Sequence, residues 1–169
     1  MLFRSDKKFK PSQQERLDGL RDSLSGLAPI LMHHGLIGCM EPLGFVECSL
    51  RLKAEAIAAI DAVKQSKRFK VTHDTFHHFV AGEKQVFGSR TGLIHVSGVT
   101  DKKYTITTMR DAQRVLVDGD DMIDNKGQVK ALIADGFKGY ISFEPFSASV
   151  HKSKQIARDV ARSMDYLEG

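Results

Sequence analysis

Leu36-Ile-Gly-Cys-Met-Glu-Pro42 is a short apolar run closed by a carboxylate and a proline, and the same pattern returns near the other end as Gly139-Tyr-Ile-Ser-Phe-Glu-Pro145. Runs this short and this apolar leave no room for an in/out alternation, so each reads as a strand buried on both faces. Proline cannot donate to a ladder, which sets the end of each strand at or before the glutamate. Two further runs of the same kind lie between them, Phe69-Lys-Val-Thr72 and Leu93-Ile-His-Val-Ser97.

Between the runs the apolar period changes to that of a helix. Leu17, Leu20, Leu24, Leu27 and Leu31 recur at three- and four-residue steps from an entry at Pro11 to a stop at Gly35. Ile57, Ile60 and Val63 mark a second helix within residues 52–63, and Val129, Leu132 and Ile133 a third. Ile156, Val160 and Met164 lie on one side of a last helix expected over residues 149–167. Strand alternating with helix makes the class α/β with a parallel sheet. Thirty-three positions separate Glu41 from Asp74, close to one-eighth of a barrel of about 250 residues, so a TIM-type (β/α) barrel is favoured over a doubly wound sheet.

Each strand candidate ends, or nearly ends, on a side chain able to hold a metal: Glu41, Asp74, His95 and Glu144. Strand ends are where a barrel builds its site, and adjacent strands stand roughly 4.8 Å apart, so four such groups can converge on one ion. A lone acid there is more often the cap of the following helix, and a lone histidine in an apolar run is more often a core residue. Agreement over four successive strands favours ligation. Three carboxylates and one imidazole suit Mn2+ or Mg2+, with Zn2+ or Co2+ acceptable to the histidine.

The bulk numbers set the class. With 169 residues and 41% hydrophobic content, one globular domain over residues 1–169 is expected. The formal charge of +4 is spread along the chain rather than blocked, so no nucleic-acid partner is expected. No run of about 18 apolar residues and no secretory leader is present, so no membrane association is expected. Two cysteines, Cys39 and Cys48, form no metal or disulfide pattern, which fits a cytoplasmic setting. The pair His33-His34 reads as a helix end, His151 as a solvated helix start, and Asp118, Asp120, Asp121 and Asp124 as a helix lead-in that lacks the last ligand of a calcium loop.

Four stretches in order, Glu41-Pro-Leu-Gly-Phe45, His73-Asp-Thr-Phe-His-His78, Gly92-Leu-Ile-His-Val-Ser-Gly98 and Ser142-Phe-Glu-Pro-Phe146, resemble the xylose isomerase-like TIM-barrel superfamily of sugar and sugar-phosphate isomerases and epimerases. The resemblance runs over residues 17–167 and is nearest to the inosose isomerases of inositol catabolism, with ketose 3-epimerases more distant. It implies that Glu41, Asp74, His95 and Glu144 hold one divalent ion. It further implies that Glu41 and Glu144 exchange the acid and base roles, and that His77 and the arginine of Asp111-Ala-Gln-Arg114 bind a sugar or inosose substrate. This chain departs from the epimerase pattern by an insert over residues 100–110 ahead of that arginine.

The resemblance also places the chain at strands five to eight, the C-terminal half of a (β/α)8 barrel. Residues 1–11 are expected to be a non-native or disordered start. A fragment of a longer frame, itself inactive, is favoured over two half-barrels paired as a homo-oligomer. An inosose dehydratase of the same superfamily is the alternative reaction, since it starts with the same proton abstraction. A metal-dependent endonuclease and a metal-free interaction module are the rivals from other classes.

Overall fold

A computed structural model describes residues 11–169, so the start expected to be non-native lies, apart from Pro11, outside the described residues. Helix α1 (Gln13–His33) opens on a reciprocal cap: the Ser12 hydroxyl accepts from the Glu15 amide while the Glu15 carboxylate accepts from the Ser12 amide at 2.7 Å. Its Leu20, Leu24 and Ala28 are buried at four-residue steps, and Gly35 turns the chain out of the helix at φ +66°, a backbone that a Cβ disfavours. Then come β1 (Gly38–Met40), α2 (Lys53–Asp61), β2 (Phe69–Asp74), α3 (Thr75–Ala81), β3 (Thr91–Val96), α4 (Asn125–Ala134), β4 (Tyr140–Phe143), α5 (Ala148–His151) and α6 (Ile156–Glu168).

The four strands form one parallel sheet in the order β1-β2-β3-β4, which is the α/β arrangement expected from a run of strand–helix units. Ile94 and Val96 of β3 are fully buried against Leu132 of α4 and Phe137, while His95 between them turns to the other face. A second core joins α1, α2 and β2 through Leu24, Ile60 and Val71. A third sits beyond the C-terminal ends of the strands, where Phe45, Phe76, Val99, Met109 and Ile123 pack together. That third core anchors the insert, because Met109 is buried in it and the Gly98 and Val115 backbones exchange hydrogen bonds across the insert's base.

Among the described residues, the outer edges of β1 and β4 have no partner strand. Tyr140 on β4 is 85% exposed, and Leu36 and Ile37 beside β1 are exposed as well. The helix expected over residues 149–167 is two helices. The Ser153 hydroxyl accepts from the Gln155 amide and donates to Asp159 at 2.6 Å, a local turn that competes with helix continuation. Along α6, Ile156 and Met164 are exposed, and the buried residue is Ser163, whose hydroxyl donates to the Val117 carbonyl at 2.6 Å. His151 closes α5 rather than opening a helix, and its ring bonds the Pro145 carbonyl.

Candidate metal centre

The sheet register explains why the four strand-end groups meet. Asp74 pairs in register with His95, and His95 with Ser142, so the C-terminal ends of β2, β3 and β4 stand level. Glu41 follows β1 by one residue and Glu144 follows β4 by one residue. Glu144 is held there by its amide, which donates to the Val96 carbonyl at 2.9 Å. One ligand atom from each of Glu41, Asp74, His95 and Glu144 lies within 4.8 Å of the others. Ligands about 2.1 Å from a single ion subtend separations of that order, so this oxygen-rich set fits one divalent cation.

His95 Nδ1 is 2.8 Å from Glu41 Oε1 and 3.4 Å from Glu144 Oε2. Hydrogen bonds that its ring N–H donates to Glu144 and Glu41 push the His95 imidazole up to about 10 against its burial. Asp74 answers the choice between cap and ligand by doing both: Oδ1 accepts from the His77 amide at 2.8 Å and caps α3, while Oδ2 faces the cluster. Burial pushes the Asp74 carboxyl up to about 7, opposed by Arg114. At Glu144 burial acts upward too, but His95 and Arg114 outweigh it and hold the carboxyl at about 2.

Arg114 enters the cluster in spite of the insert before it. It is 1% exposed, and its Nη2 donates to Asp74 at 2.5 Å and to Glu144 at 2.9 Å. Its Nε donates to the Ser97 hydroxyl at 2.8 Å, and its guanidinium lies over the rings of Phe76 and Phe146 at 5.1 and 4.9 Å. His77 is buried beside it, with Nε2 3.5 Å from Arg114 Nη1. Burial and the neighbouring guanidinium bring His77 down to about 3, so its ring is neutral. All six residues singled out from the sequence are therefore together. Ser97, which orients Arg114, was missed because a serine after a strand carries no sequence signal of its own. Phe45, whose ring stands edge-on to His77 at 5.2 Å, was quoted only within a motif.

A cluster on the helix side of β2 also escaped the sequence. Lys53, buried at the start of α2, lies 2.9 Å from Glu83 and 2.5 Å from His78 Nδ1, and the His78 ring packs on His73. The Glu83 carboxylate additionally accepts from the Lys53 and Ala54 amides, capping α2 from a distance.

Residues 3–168 match the family model described as xylose isomerase-like TIM barrel. No curated protein matches the chain. Among solved structures, the chain is similar to a xylose isomerase domain containing protein from Salmonella typhimurium LT2, at 28% identity and TM-score 0.77, covering 97% of this chain and 60% of that one. It is similar in fold to the IolI protein solved with a bound zinc atom, at 21% identity and TM-score 0.83, covering 95% of this chain and 59% of that one. It is likewise similar in fold to a D-psicose 3-epimerase from Clostridium cellulolyticum H10, at 17% identity and TM-score 0.72, covering 97% and 59%. The chain thus spans about three fifths of the length of these neighbours. No helix among the described residues is long and apolar enough to cross a membrane.

Proposed function

The chain belongs to the xylose isomerase-like TIM-barrel family, and from that premise we propose that it is the metal-binding, C-terminal half of a divalent-metal-dependent isomerase or epimerase acting on a sugar, sugar phosphate or inosose. The observation that carries the proposal is the convergence of Glu41, Asp74, His95 and Glu144 within 4.8 Å, with Arg114 and His77 beside them. A half-barrel of this kind is one domain whose site would be walled on the remaining side by further strand–helix units.

Such a reaction removes a proton next to a carbonyl and returns it to the neighbouring carbon or to the other face. Glu41, Asp74, His95 and Glu144 would hold one divalent cation, for which Mn2+, Mg2+, Zn2+ and Co2+ all suit the donor set, and it would supply Lewis-acid positive charge at the reacting oxygens. The chain's own residues supply the rest. Glu41 and Glu144 follow the two outer strands and both approach His95, and the family resemblance assigns them the acid and base roles that exchange one proton. The guanidinium of Arg114 is fixed by Ser97, Phe76 and Phe146, and a fixed donor stabilises developing negative charge at little reorganisation cost. His77, neutral, donates to or accepts from a substrate hydroxyl without adding charge.

The test is proton exchange with solvent. With Mn2+ present, a panel of ketoses, ketose phosphates and inososes in D2O is followed by NMR for deuterium entry next to the carbonyl. Glu144→Gln keeps the side chain's size, removes the base, and is expected to abolish exchange while retaining part of the metal affinity. Exchange in that variant at the parent rate refutes the assignment.

A further inference from the structure

Against Phe45, whose ring also meets that of His77, the structure holds a cavity of about 260 Å3. Its walls include Phe45, Glu47 and Arg51 from the loop after β1, and Ile106, Thr107 and Arg110 from the insert. We propose that this cavity is a binding site for an oxyanion of the phosphate class, held between the guanidinium groups of Arg51 and Arg110.

The charge is uncompensated where it stands. Among the described residues, Arg51 and Arg110 have no carboxylate within ion-pair distance, as is also true of Arg16, Arg68, Arg158 and Arg162; Arg51 and Arg110 differ from these in lining one cavity together. Both are nonetheless held in place. Arg51 donates from Nε to the Gly44 carbonyl at 2.8 Å and from Nη2 to the Ala81 carbonyl at 3.1 Å, which fixes its plane across the end of α3. Arg110 donates from Nη1 to the Met109 carbonyl at 2.6 Å and the Thr107 carbonyl at 3.1 Å, and its guanidinium lies over the Phe45 ring at 5.6 Å. These bonds leave Nη1 of Arg51, and Nε and Nη2 of Arg110, without protein acceptors among the described residues.

Guanidinium groups fixed in orientation with donors to spare match the oxygens of a phosphate better than a mobile ammonium does. The one acid in the wall, Glu47, is exposed, so two cations face one anion before any ligand binds. The space is several times the roughly 30 Å3 share of one water molecule, enough for a tetrahedral anion. Phe45 lines this cavity with Arg110, whose guanidinium is 5.6 Å from its ring, and the same ring meets that of His77 at 5.2 Å beside the metal centre. The anion is therefore either free phosphate or the phosphate of a substrate whose sugar lies in the metal centre. The second source rests on the function proposed above, and the site itself does not.

Inorganic phosphate titrated calorimetrically into the metal-free chain at low salt should bind saturably. Binding should weaken with added NaCl, since both cations are near the surface. Arg110→Met, at an exposed position outside the metal centre, should weaken binding about tenfold, the loss expected for a charged hydrogen bond. Glu47→Gln should strengthen it a few-fold, a change of opposite sign that a folding defect does not produce. A second titration uses fructose 6-phosphate with and without Mn2+. Tighter binding than phosphate only when Mn2+ is present assigns the site to a substrate phosphate, and equal binding with and without Mn2+ assigns it to free phosphate. Both outcomes uphold the site. No saturable phosphate binding, or binding that Arg110→Met leaves unchanged, overturns it, and leaves the metal-centre proposal standing because no metal enters that titration.

Discussion

Glu83→Gln should destabilise the fold by about 3 kcal/mol at neutral pH, and the figure can be reached from two directions. Glu83 is 9% exposed and paired with Lys53, which is 4% exposed, so solvent screens the pair little. Burial alone would raise the Glu83 carboxyl, but the bonds from His78 and Lys53 outweigh it and hold it at about 2 instead of 4.5. A displacement of that size corresponds to about 3 kcal/mol. Removing one partner of a buried pair costs about 3–5 kcal/mol, the same range. The glutamine also keeps only one acceptor for the two α2 amides that the carboxylate now caps. Since the folded value lies below the unfolded one, the stabilisation is fully present above pH 4.5 and is lost as pH falls toward 2. Urea unfolding followed by circular dichroism should move to a midpoint about 1–2 M lower in the variant at pH 7. The two midpoints should converge as the pH is lowered from 5 to 3. A Glu83→Gln midpoint within experimental error of the parent at pH 7 would refute the reasoning, and so would a gap that widens in acid.

Gly44→Ala tests the loop that carries Phe45. Gly44 sits at φ +46° and an added Cβ would meet the His77 backbone, so we expect a loss of about 2–4 kcal/mol in thermal unfolding, with displacement of Phe45 from His77 visible in their NMR shifts. Arg114→Met removes the counter-ion of Asp74 and Glu144, and should cost about 3 kcal/mol in metal-free protein. Excess Mn2+ should raise the melting temperature of this variant more than that of the parent chain, since the ion replaces the lost positive charge.

The parallel sheet was legible because its strands announce themselves as uninterrupted apolar runs, and each run appears as a strand within a residue or two of its expected bounds; the expected burial on both faces fails on β4, an outer strand whose Tyr140, Ile141 and Ser142 are exposed. The four candidate ligands were legible for the same reason, since a polar side chain at the end of such a run stands out. Arg114 was legible only through its motif, because the insert separates it from His95 and only the third core shows how the chain returns. The cluster of Lys53, His78 and Glu83 left no trace: Lys53 comes from the start of α2 and lies 25 and 30 residues before His78 of α3 and Glu83 just after it, separations that no helical or strand period links. The docking face of α6 was not legible, because periodicity shows which residues share a face and not whether another element covers it. Here Ile156 and Met164 are exposed, and α6 docks instead through Ser163, Tyr166 and Leu167.

The convergence of Glu41, Asp74, His95 and Glu144 on one cation is tested most directly by metal content at equilibrium. Elemental analysis after dialysis against Mn2+, and separately against Zn2+, should find one ion per chain, and Asp74→Ala and His95→Ala should each lose it. A chain that retains no ion above the buffer level, or one that keeps its ion in both variants, contradicts the assignment.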